Sequence, residues 1–171
     1  MELKGTRKIT ILSVFTSQAL VLSIIESMFP IPLGIPGIKL GLANIMTLMT
    51  IVIFDFKSAL MVVVARVVLA SVYGGSMLVF WFSIAGGLIS TAVMGLMYKR
   101  YEKYFSIIGI SVAGALAHNL GQLFVAVIVM KELSVLLLYA PFLMAAGAIM
   151  GGFTGLIAHF LLKALKRIIT T

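Results

Sequence analysis

Residues 77–98 read MLVFWFSIAGGLISTAVMGLMY. The stretch holds no Asp, Glu, Lys or Arg, and about 20 such residues in a helix cross a bilayer. Comparable apolar runs lie on either side of it. They cover about 9–29, 38–54, 58–73 and 105–130, with a last one inside 137–162. The chain of 171 residues is 62% hydrophobic and 11% charged, whereas about a quarter of a soluble domain is charged. These observations predict an all-α polytopic membrane protein, a bundle of six transmembrane helices forming a single integral domain over 1–171. Spans two and three are short and predict little tilt. The start KGTRK (4–8) ahead of an apolar run has the outline of a signal peptide. The run is too long and lacks a small-x-small cleavage site, so it predicts a retained first helix.

Orientation follows from the cations. Lys4, Arg7, Lys8, Lys57, Lys99, Arg100, Lys103, Lys163, Lys166 and Arg167 fall on one side of the six spans. Lys39 and Lys131 fall on the other, and Arg66 lies within span three. The positive-inside rule then places both termini in the cytoplasm. The net charge of +8 is distributed in clusters between apolar runs, which excludes nucleic acid as the partner and points to the lipid bilayer. Segment 131–141, KELSVLLLYAP, predicts an outer interfacial piece before the last span, because Pro141 disfavours an uninterrupted helix.

Small residues recur at helix-packing spacing. Gly147, Gly151 and Gly155 overlap as GxxxG patterns in span six, and Ala19 and Ser23 lie on span one. Such faces let helix backbones approach closely. They serve packing within the chain or docking of a partner subunit, most plausibly through span one.

Ionisable and amide side chains inside a membrane are expensive and read as functional candidates. Glu26, Lys39, Asn44, Arg66, His118, Asn119 and Gln122 all fall in the outer half of the six-span topology. In GALAHNLGQL (114–123), Gln122 is four residues from His118 and shares its face. The set predicts a polar substrate-binding pocket opening outward, and its cations favour a ligand with an anionic group. Each residue also has a plainer reading. Arg66 and Glu26 form a structural pair, His118 packs, Asn119 and Gln122 bond helices together, and Glu26 and Lys39 are interfacial. Tyr73, Phe80 and Trp81 stand near the outer mouth, where aromatic residues form belts.

The absent motifs narrow the chemistry. No GxxxxGK[ST] loop is present, so ATP is not bound by that route. Without Cys there are no thiolate metal sites. The one Asp, Asp55, leaves too few carboxylates for a Mg²⁺-dependent diphosphate site. No catalytic triad or HExxH occurs. The expectation is no catalytic residue, no metal, no cofactor, and no enzyme activity by the chain alone.

The stretches IPGIKLGLANIMTL (35–48), ARVVLASVYGG (65–75), SIAGGLISTAVM (83–94) and GISVAGALAHNLGQL (109–123) resemble a bacterial membrane family, the Gx transporter family, also labelled heptaprenyl diphosphate synthase component I. The resemblance covers nearly the whole chain, and KLGLAN with HNxGQ carries most of its specificity. The family is similar to the S components of energy-coupling factor (ECF) transporters. That resemblance implies a six-helix subunit in the bacterial cytoplasmic membrane that captures a small vitamin-like, flavin-related or isoprenoid molecule from outside. It implies a transmembrane coupling subunit and two ATPases as partners. The alternative it implies is a membrane accessory subunit for isoprenoid, quinone or flavin-based extracellular electron-transfer machinery, including a non-catalytic synthase component.

Overall fold

The computed structural model describes residues 5–28, 41–73, 76–101 and 103–170. Six α-helices follow one another: α1 (Gly5–Met28), α2 (Asn44–Ile53), α3 (Phe56–Val72), α4 (Met77–Tyr101), α5 (Ile107–Met130) and α6 (Ser134–Thr170). No strand occurs among the described residues. The fold is all-α, as the apolar runs require.

The helices differ in reach. Four of them, α1, α4, α5 and the part of α6 from Leu137 to Leu165, are long and apolar enough to cross a membrane. By contrast α2 has 10 residues, about 15 Å, or half of a hydrocarbon core. The 17 residues of α3 reach about 25 Å. The expected span over 38–54 is therefore shorter than its hydropathy suggests. Its first residues, 38–40, lie outside the described set. Gly41 has a φ of 90°, a left-handed conformation that no helix continues through, and residues 42–43 form a turn.

Short α2 is nevertheless the axis of the bundle. Every residue from Asn44 to Ile51 is buried, and α2 touches each of the other five helices. A helix apolar all round has no solvent or lipid face to choose, so it is enclosed. The most extensive contacts run from α5 to α6 and to α4, whereas α1 rests on α2 and α3 alone among the described residues.

Two apolar cores form. Leu12, Phe15, Ala19, Leu48, Met94, Ile110 and Leu162 belong to the larger one, at the basic end of the bundle. Phe82, Leu123, Ala126 and Leu143 form the smaller one, towards the opposite end. Ala19 and Ser23 are both buried within the chain. Gly147, Gly151 and Gly155 of α6 face α5: a Cβ on Gly151 would meet Val112 Cα at 2.7 Å, and one on Gly155 would meet Ile108 Cα at 2.8 Å. These close approaches account for the extensive α5–α6 contact.

Pro141 departs from expectation, because α6 runs through it without interruption. A proline removes a single backbone donor, and neighbouring groups in a membrane bundle absorb that loss. The break falls earlier, at Lys131, whose φ of 55° and ψ of 28° end α5 in a left-handed cap.

At the basic end, Asp55 starts α3 by accepting from the Ser58 N–H at 2.7 Å. It also pairs with Lys8 of α1 at 2.7 Å. The Lys8 hydrogen bond, helped by the Ser58 N–H, holds the Asp55 carboxyl at about 2 against an ordinary value of 3.8. A folded-state value below the unfolded one means stability that is present above about pH 4 and lost as pH falls towards 2. In acid titrations of unfolding, wild type is expected to exceed Asp55→Asn at pH 6, and the two are expected to converge near pH 2. A gap that persists at pH 2 refutes the assignment to this ion pair.

Candidate ligand-binding site

Between the two cores lies a layer of buried polar groups drawn from five helices. It begins at the end of α1. The Glu26 carboxylate accepts from the Gly41 N–H and, at 3.4 Å, from the Leu42 N–H. These two donors precede α2 and have no place in a helical ladder. A buried carboxylate is a strong partner for them, and its charge suits a helix N-terminus. Glu26 therefore does structural work, fixing the irregular backbone where it enters the bundle.

Gly41 in turn lies against two polar side chains. A Cβ there would come 2.8 Å from Asn44 Nδ2 and 3.8 Å from His118 Cδ2. His118 reaches this point from α5 and packs on Gly86 of α4, where a Cβ would sit 3.0 Å from its Nδ1. The next residue, Gly87, faces α3: a Cβ on it would lie 3.3 Å from Arg66 Nη2. The adjacent glycines of α4 thus make room for the imidazole at one position and the guanidinium at the next, and Glu26 is the acidic group whose charge acts on Arg66.

Burial in the layer is nearly complete. Arg66 is 3% exposed, His118 2%, Asn44 4% and Gln122 0%. The Nε and Nη2 of Arg66, both amide atoms of Asn44 and the Thr47 hydroxyl have no hydrogen-bond partner. Burying such groups costs several kcal/mol unless something bonds them. An arginine fork in a layer that also holds an amide and an imidazole suits a carboxylate or phosphate.

Not every expected residue joins this group. Asn119 turns to α6, where its Nδ2 donates to the Leu143 carbonyl at 2.6 Å and lies against Gly147. Gln122 is buried one turn beyond His118 on α5. Lys39 lies outside the described residues. Thr47 and Ser90, both fully buried, were not foreseen. Thr47 is three residues from Asn44 and Ser90 four from Gly86, spacings that would have placed them on the same faces.

Above the layer a cavity of about 350 Å³ opens between α1, α3 and α4. Ser23, Val67, Tyr73, Phe80 and Ser83 are among its walls. Val67 follows Arg66 in sequence, and Ser83 is one turn from Gly87. Arg66, Asn44 and His118 form the layer beneath rather than its wall. Trp81 is 51% exposed and stacks edge-on against Phe80.

Among the described residues no three His, Asp or Glu side chains converge as metal ligands. No curated protein and no solved structure matches the chain. The sequence model described as heptaprenyl diphosphate synthase component I matches residues 15–161, and on that match the chain belongs to this family.

Proposed function

We propose that the chain is a substrate-capturing membrane subunit, similar to the S component of an ECF-type transporter. It binds a small molecule with an anionic group in the polar layer and takes it in from the face opposite the basic end. In this reading all six helices lie within the membrane and both termini are cytoplasmic. A separate coupling subunit with two ATPases supplies the energy, since the sequence carries no nucleotide loop. The guanidinium of Arg66, 3% exposed and with no hydrogen-bond partner at Nε or Nη2, is the observation that carries the proposal. A buried cation with donors to spare marks a ligand pathway in membrane proteins. The nearby cavity of about 350 Å³ falls at the lower end of small-molecule sites.

A second reading has its own support in the family description, which names a component of a synthase. The chain would then be a non-catalytic membrane partner of a prenyl-transferring subunit.

Native mass spectrometry of gently purified protein separates the two. Capture predicts an anionic small molecule retained by wild type and lost from Arg66→Ala and His118→Ala. A wild-type protein carrying only lipid and protein partners refutes capture and favours the accessory reading.

A further inference from the structure

The opposite, basic end of the bundle carries a second set of features that substrate capture does not use. A groove of about 790 Å³ runs between the end of α2, the α2–α3 turn and α4. Its walls are mostly apolar, including Ile51, Phe54, Phe56, Leu96 and Tyr98. A neighbouring groove of about 620 Å³ lies between α1 and α3, with Ile9, Leu12 and Met61 in its walls. Phe56, Asp55 and Lys99 border both grooves, so Phe56 is the partition between them. Gly95 fixes that partition, because a Cβ there would overlap the Phe56 ring.

The charges around the partition are unequal. Lys8 is engaged, pairing with Asp55 at 2.7 Å and lying 5.8 Å above the Phe54 ring. Asp55, the acid that borders both grooves, is thereby neutralised. Lys99 borders both grooves and Lys57 borders the second, and neither pairs with an acidic side chain among the described residues. Two ammonium groups with no acidic partner among the described residues therefore stand at the rims of apolar grooves, at the end where the chain leaves the membrane. Basic pockets between transmembrane helices take anionic lipid headgroups.

We infer that this paired groove is a binding site for an anionic phospholipid, with its acyl chains on either side of Phe56 and its phosphate between Lys57 and Lys99. The site is separate from the Arg66 layer and stands whether or not that layer captures a substrate. Lys8–Asp55 is part of its architecture: the pair ties α1 to the α2–α3 turn and neutralises the carboxylate that borders both grooves.

The test is native mass spectrometry of the full chain in detergent, titrated with phosphatidylglycerol, phosphatidylethanolamine or farnesyl diphosphate. Wild type is expected to prefer phosphatidylglycerol over phosphatidylethanolamine. The double variant Lys57→Gln/Lys99→Gln is expected to bind phosphatidylglycerol about 25-fold more weakly, roughly fivefold per lysine. Arg100→Gln/Lys103→Gln removes the same charge from the same end but touches neither groove, and is expected to shift binding less than about threefold by screened attraction alone. Ala92→Phe, placed on the exposed wall of the first groove, is expected to weaken binding while all charges remain. Equal losses in the two charge variants, or no preference for phosphatidylglycerol, overturn the site. Lysine-dependent binding of farnesyl diphosphate without phosphatidylglycerol binding overturns the phospholipid and assigns the groove to an isoprenoid diphosphate.

Discussion

Arg66→Met protein, stripped of small molecules by exhaustive washing in detergent, is expected to melt at a higher temperature than wild type and to bind its ligand at least about 30-fold more weakly. The two effects have opposite signs for one reason. A guanidinium 3% exposed, with Nε and Nη2 unbonded, sits in the protein at a large desolvation penalty. Methionine has a comparable volume, fills irregular space and carries no charge. Replacing a whole buried ion pair with packed apolar groups is commonly neutral or stabilising by about 1–4 kcal/mol, and the same sign is expected for this one cation because its Nε and Nη2 bond to nothing. The acidic neighbour does not spoil the exchange, because Glu26 keeps the Gly41 and Leu42 N–H groups as partners. Ligand binding moves the other way, since truncating one member of a buried charge pair costs about 2–5 kcal/mol. Thermal unfolding followed by tryptophan fluorescence gives the first effect, and equilibrium dialysis of the ligand found on wild type gives the second. A melting point well below wild type would mean that Arg66 holds the fold, and the substrate assignment would fall with it.

The second large effect belongs to a glycine. Gly121→Ala is expected to destabilise by about 2 kcal/mol, within the range for overpacking, and to weaken ligand binding as well. A Cβ at Gly121 would stand 2.9 Å from Gly86 Cα, 3.0 Å from Gly86 N and 3.0 Å from the Ala85 carbonyl oxygen. All three atoms are backbone, so no side chain can rotate away and α4 must separate from α5. That separation pulls Gly86 off the His118 ring, three residues earlier on α5. Gly152→Ala is the matched control. A Cβ there meets nothing within 4 Å, so the substitution is expected to be neutral or to stabilise by up to about 1 kcal/mol through helix propensity. Chemical unfolding of the three proteins side by side decides the matter. Equal effects at the two positions would show that the α4–α5 approach is not tight.

Legibility varied with the kind of question. Residues 77–98 and 105–130 announced their helices, because an uncharged run of that length has one stable conformation in a bilayer. The ends of α4 and α5 came within a few residues. The run over 38–54 misled, because hydropathy sums side-chain character and is blind to the left-handed turn at Gly41. Pro141 misled in the opposite direction, since one missing donor does not break a helix whose other bonds persist. In the polar set, residue types flagged Arg66, His118 and Gln122 as unusual at that depth, but spacing within one helix says nothing about which residues meet across helices.

The sequence by itself determined that the chain is helical, that it belongs in a membrane, and that its cations are biased to one end. These follow from composition and local periodicity, which require no knowledge of neighbours. Only the tertiary structure decided that Glu26 serves the backbone of Gly41 and Leu42, that Asn119 bonds to α6, and that His118 packs on Gly86 and Arg66 on Gly87. Those outcomes depend on the rotation and crossing of α2, α3, α4 and α5 about one another. Side chains near the same depth in sequence acquire a shared site only when glycines let the backbones come close enough for them to meet.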